Sequence, residues 1–295
     1  MGVFSRSWPE LQRENHFLGF ARQRTKSISS NTRRFSILYW GTFATTFLYF
    51  VSDQLGYTTE ILHESYRYTY KYEPLRYIRL LVIFYNITVW NIALHTYICF
   101  SNIMYWEAKK FNKKLRVLKT TQTSHLLEKV ENMIRLHTQL GRCTRELDRI
   151  FQVFAFLMVC TIIPSTLFTL ALVLTRSSLF GLVLCIPSVC YCAYGYYGVT
   201  LTPATLHEEL SKSKAILCMT ESIWVPFESK LNRVAHTLLI HLDQADLGIS
   251  LWGFALVTKP MILTTVSVMM TCLAFFLELK PKECPGFHAN STAMR

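Results

Sequence analysis

Five stretches of this chain, 35–52, 80–106, 150–175, 177–206 and 261–277, contain no aspartate, glutamate, lysine or arginine. A helix needs about 20 mostly apolar residues to cross a bilayer, and these stretches are close to that length or longer. In hydrocarbon every backbone polar group has to be satisfied within the segment, so the runs predict helices rather than loops or open strands. Composition agrees: 51% of the 295 residues are hydrophobic and 17% are charged, against about 25% charged in ordinary soluble chains. The expected fold is all-α, a polytopic membrane helix bundle with about five recognisable spans lying in the lipid bilayer.

The net charge of +12 fits either a nucleic-acid partner or the basic loops that the positive-inside rule leaves in the cytosol. With this many spans the second reading is preferred, and no nucleic acid is expected. Residues 1–34 hold Arg6, Arg13, Arg22, Arg24, Lys26, Arg33 and Arg34 but lack the apolar core of a signal peptide, so no cleaved leader is expected. The segment 107–149 is also strongly basic, whereas 53–77 mixes both signs. This asymmetry puts the N-terminus inside and, after five crossings, the C-terminus outside. Asn290-Ser291-Thr292 is a glycosylation acceptor on the outer side of that arrangement, while the second match, Asn86-Ile87-Thr88, falls within a span. The organisation that follows is a basic cytosolic N-terminus (1–34), a membrane domain (35–279) and an external tail (280–295).

Between the spans the chain is not loop-like. Leu126, Val130, Met133, His137, Leu140, Thr144, Leu147 and Phe151 recur at spacings of four and three, which makes one apolar seam on a helix that runs into the third span. A seam has to bury against something. The expected partner is 203–244, with Leu206, Leu210, Ala215 and Cys218, then Leu231, Val234, Leu238 and Leu239 after a break at Pro226. Together 107–149 and 203–258 should form a packed cytosolic helical layer. Pro164, Pro187 and Pro203 mark expected kinks, and Lys259-Pro260 reads as the break between an apolar half-helix at 247–258 and the last span, 261–279.

Catalytic patterns are missing: there is no H-E-x-x-H, no glycine-rich phosphate loop and no G-x-S-x-G, so no enzyme is expected. Most of the nine cysteines sit inside apolar runs and behave as small hydrophobes, and Cys190-x-Cys192 has no histidine partners. Neither a metal nor a cofactor is expected. A metabotropic serpentine sensory receptor coupled to a G protein is the second reading, set back because Asp148-Arg149 precedes a span where that class's charged pair follows one and the last span lacks N-P-x-x-Y, and a non-conducting membrane scaffold is the third. Within the second span Thr88, Asn91, His95 and Asn102 share one helical face, with Tyr85 and Trp90 nearby. Polar residues in hydrocarbon either hold helices together or line a cavity, and both readings stay open for this stripe.

The order of features in the second half resembles a known family. "CTRELDRIFQVFAF" (143–156), "LGISLWGFALVTKPMIL" (247–263) and "TCLAFFLEL" (271–279) look like the C-terminal half of the insect gustatory and odorant receptor superfamily and its nematode gustatory-like relatives. That family ends on Thr-Tyr, five mostly apolar residues and Gln-Phe; here the frame is Thr271-Cys272, five residues, then Glu278-Leu279. The family has seven spans, so two are expected to be missing from the front. The resemblance implies a chemosensory, gustatory-type receptor in the plasma membrane, acting as a ligand-gated non-selective cation channel. It implies a homo- or hetero-tetramer with the last spans around one pore, flanked by Thr271 and Glu278 and gated at Phe275. It also implies a small-molecule or other sensory stimulus bound near Tyr85, Thr88, Trp90, Asn91 and His95. The bland alternative for Glu278 is a carboxylate that marks the membrane interface beside Lys280 and Lys282.

Overall fold

The structure is a computed structural model that describes residues 75–118, 125–175, 179–225, 228–243 and 246–278, together with seven residues between Ile37 and Leu48. The N-terminal segment 1–34, Asn290 and the tail 280–295 lie outside the described residues. Three long helices dominate: α1 (Leu75–Val117), α2 (Leu126–Thr175) and α3 (Leu179–Cys218). They are followed by a single turn, α4 (Glu221–Trp224), and by α5 (Ser229–Leu242). An antiparallel pair of two-residue strands comes next, β1 (Ser250–Leu251) and β2 (Ala255–Leu256), and then α6 (Lys259–Glu278). The described residues between Ile37 and Leu48 are helical and set Phe43 and Phe47 against Phe84 of α1.

Helices of 43, 50 and 40 residues rise about 1.5 Å per residue and so outrun a hydrocarbon core of about 30 Å. Each therefore has one half that needs a protein partner. In α2 that half carries the seam, and Leu126, Val130, Met133, His137, Leu140, Thr144 and Leu147 are all buried, with Phe151 half-buried. They pack against α3 and α5, where Leu206, Leu210, Leu217, Leu231 and Leu238 are buried in turn. Each fully buried leucine contributes about 2 kcal/mol, so this layer has a core of its own. The sequence expectation is corrected at two places: Ala215 and Cys218 are exposed, and Ser213 and Leu217 take the inward face. The inward stripe drifts from a spacing of four to three and four as α3 turns around its neighbours.

The apolar halves differ. Two helices among the described residues, Leu126–Ala171 and Lys259–Glu278, contain windows long and apolar enough to cross a membrane, and only 11% of each window is buried. A soluble core helix would be mostly buried; these present leucine, phenylalanine and valine outward, as lipid requires. α3 comes close to its neighbours through Gly198, where an added Cβ would lie 2.6 Å from Ile98 Cδ1. α2 and α3 run unbroken past Pro164, Pro187 and Pro203.

A second correction concerns 247–258. It is not a half-helix: β1 and β2 pair Ser250 with Leu256 and Leu251 with Ala255 around a turn whose central residues, Trp252 (φ 49°) and Gly253 (φ 76°), are both left-handed. A glycine accepts that backbone freely, while a tryptophan carries strain there. The boundary expected at Lys259-Pro260 does fall there, but it separates the hairpin, not a half-helix, from α6. The two residues open α6, where a proline costs nothing because its missing N–H would have no intrahelical partner.

Candidate functional site

α6 touches the rest of the chain along one face. Met269 and Leu273 are buried and Met261, Ile262, Thr265 and Cys272 are half-buried, which places the contact on a single stripe. At 100° per residue the opposite face carries Thr264, Ser267, Thr271 and Glu278, with Phe275 beside them, and all five are exposed. An exposed helix in lipid has no use for three hydroxyls and a carboxylate in one line. Thr264 Oγ1 donates to Pro260 O (3.0 Å) and Thr271 Oγ1 donates to Ser267 O (3.0 Å). With their protons committed to the backbone, these hydroxyls present lone pairs outward, the polarity that suits a cation.

The base of α6 is firmly mounted. Lys259 Nζ reaches Glu208 Oε2 on α3 at 2.6 Å, and Glu208 also holds Lys212 at 3.1 Å. Both lysines bond the Glu208 carboxylate and draw its pKa below the usual value. Tyr196, buried on α3, bonds Thr265 and donates to Ile262 O (3.3 Å). His207 Nδ1 faces Leu247 O at 3.0 Å, so Nδ1 carries the proton. On the α2 side Asp148 Oδ1 accepts from Ser250 N (2.6 Å) and Ser250 Oγ (2.8 Å), and Trp252 N donates to Gln152 O (3.1 Å). The last helix therefore cannot move without loading α2 and α3 through named contacts.

The polar stripe of α1 is distributed unevenly. Asn91 is 2% exposed, and its Nδ2 lies beside Tyr191 without a hydrogen bond of normal geometry. His95 Nε2 sits 3.5 Å from Cys99 Sγ. Thr88 donates back to Phe84 O (2.7 Å), Trp90 packs on Phe154 with ring centroids 5.9 Å apart, and Tyr85 is exposed on the outer surface. Asn91 and His95 thus share the inward face of α1, and Tyr85 does not join it. Lower down, Asn112 donates to Glu209 O (2.7 Å) and accepts from Ser213 (2.6 Å), a satisfied network that fixes α1 to α3. Among the described residues no group of three or more His, Cys, Asp and Glu could hold a metal ion.

A family model described as 7tm Chemosensory receptor matches residues 4–283. The chain belongs to that receptor family. It is a membrane chemosensory receptor and not an enzyme, in keeping with the resemblance read from its C-terminal half. The fold of this receptor is also that of the insect olfactory receptor OR5 from Machilis hrabei. The structure of that protein in complex with eugenol aligns at a TM-score of 0.67 with 13% identity, covering 94% of this chain and 75% of that one. A second structure of the same protein aligns at 0.65 with the same identity and coverage. A comparison with curated sequences finds no match. Thr264 and Ser267 are the positions on the outward face of α6 that sequence reasoning missed in this receptor; their spacing of seven and four from Thr271 was the available signal.

Proposed function

We propose that the receptor is a gustatory-type, ligand-gated non-selective cation channel of the plasma membrane, assembled as a homo- or hetero-tetramer. The observation that carries this reading is the outward face of α6: Thr264, Ser267, Thr271 and Glu278 form one polar line turned away from every contact α6 makes within its own chain. Around a shared axis such lines become rings of hydroxyls topped by carboxylates, which attract cations, and Phe275 one turn below Glu278 gives an apolar constriction that gates by dewetting. The N-terminus lies inside and the C-terminus outside. Residues 1–34 form a cytosolic tail, 107–149 and 203–258 the cytosolic layer, and 280–295 an external tail whose Asn290 is open to glycosylation.

The ligand site in this reading is the face of α1 around Asn91 and His95, bordered by Thr88 and Trp90; Tyr85, exposed on the outer surface, is not part of it. The buried Asn91 amide, with Tyr191 as its polar neighbour, would give a ligand there a point of attachment. The ligand class is small, neutral and largely apolar, as eugenol is for the Machilis receptor. The test is electrical. Expressed at the cell surface, the receptor should carry a stimulus-gated cation current, and Glu278→Gln should weaken its preference for cations while surface expression is kept. Unchanged selectivity would remove Glu278 from the pore. A receptor that reaches the surface yet gives no current with any stimulus, alone or with a relative, would overturn the channel reading, as would an N-terminal tag reachable from outside intact cells.

A further inference from the structure

The turn between β1 and β2 spends strain on holding two large aromatics in the open. Trp252 is 53% exposed and Phe254 80% exposed, although both belong to a segment anchored by hydrogen bonds on every side. Asp148 takes both protons of Ser250, Ser250 Oγ accepts from Gly253 N (3.2 Å), Phe254 N donates to Leu251 O (3.0 Å) and Val257 N to Ile249 O (3.0 Å). A left-handed tryptophan costs about 1–2 kcal/mol, and a conformation of this kind persists where its surroundings over-determine it and the shape has a use. Trp252, Phe254 and Phe156 of α2 form one aromatic cluster, with ring centroids 5.3 to 6.2 Å apart.

The height of this cluster on the molecule is fixed by α2. The turn is pinned at Asp148 and Gln152 and its rings reach Phe156. That interval contains the change from charged to apolar sequence, since Arg149 is the last charge before the run 150–175. From Arg149 to Phe156 α2 climbs about 10 Å, the depth of an interfacial layer. Arg142, Arg145 and Arg149, all exposed, stand along α2 below the rings. Aromatic rings at the edge of the hydrocarbon, with basic groups just beneath, match the chemistry of an anionic lipid surface.

We propose that the β1–β2 turn is a lipid anchor: Trp252 and Phe254 insert into the headgroup–acyl boundary of the leaflet that faces the basic layer. There they hold the foot of α6 at a fixed depth. This rests on the reading that α2 and α6 cross the bilayer. The occupant is phospholipid, because the basic groups below the rings complement anionic headgroups; a second copy of the chain is the alternative the test has to separate.

The experiment places the photoreactive residue p-benzoylphenylalanine at 254 in the full chain, reconstituted in nanodiscs of phosphatidylcholine and phosphatidylserine. The same replacement at Phe168, which is 66% exposed in the apolar half of α2, serves as the reference. After illumination, phospholipid adducts at both positions are expected by mass analysis. A lipid adduct at 168 with a cross-link to a second copy at 254, or with no adduct at 254, would overturn the anchor and leave the spans standing. Lipid adducts at neither position would overturn the membrane reading and the anchor with it.

Discussion

Replacing Asp148 with alanine removes the acceptor that ties the β1–β2 hairpin to α2. The carboxylate receives two hydrogen bonds from Ser250, at 2.6 and 2.8 Å, and bonds to an ionised partner contribute about 1.5–3 kcal/mol each. Ser250 is 7% exposed, so water does not readily replace the lost acceptor. The two contributions are not fully additive, because Ser250 Oγ can still accept from Gly253 N. The expected cost is about 3 kcal/mol of local stability, equal to a rise of about 100-fold in the opening of the hairpin. Hydrogen exchange of the amides from Ile249 to Val257 reads this directly. Asp148→Asn keeps one acceptor oxygen and loses the charge, and should cost about 1 kcal/mol.

A pair of the same length supplies the control. Lys214 and Asp243 also meet at 2.6 Å, but their side chains are 44% and 63% exposed, and a screened surface pair is worth about 0–1 kcal/mol. Lys214→Ala should leave exchange across the layer nearly unchanged. If Asp148→Ala changed hairpin exchange no more than Lys214→Ala does, the argument from burial and charge would be refuted.

Two further expectations concern the helical layer built by α2, α3 and α5. His137 is buried against Phe111, and burial, with the charges of His241 and Arg145, pushes its pKa down from 6.5 to about 4. The folded layer thus binds fewer protons than the unfolded chain, so stability should be flat above pH 6.5 and fall as pH drops toward 4, by about 3 kcal/mol in total. A thermal-shift series across that window should lose much of its slope in His137→Leu. Leu147, 1% exposed near the C-terminal end of the seam, should cost about 3 kcal/mol as alanine, seen as earlier chemical unfolding of the detergent-purified receptor.

The seam of α2 could be read from sequence because burial on one face of a long helix leaves a regular period, and Leu126 to Leu147 keep it without interruption. The last helix was legible for the same reason that lipid selects it, an apolar run with no charge. The hairpin was not. Strands of two residues are too short to show alternation, and an apolar segment of that length reads equally as a half-helix; the Trp252-Gly253 turn was the one local sign. Ala215 and Cys218 were misplaced because a small drift in helical phase moves the inward face by one or two residues. Within the α1 stripe the spacing put Thr88, Asn91 and His95 on one face, but only the packing of α3 decided that Asn91 is buried and Tyr85 is not. The outward line on α6 escaped notice at Thr264 and Ser267 because small hydroxyl residues do not interrupt an apolar run.

The central claim is that the line Thr264, Ser267, Thr271 and Glu278 faces a pore shared between copies. The most direct measurement is the structure of the assembled receptor in a lipid nanodisc. The account predicts that these residues from every copy converge on one central axis, with Phe275 at the constriction. An assembly in which this face of α6 lies against lipid, or in which the α6 helices do not meet, would contradict it.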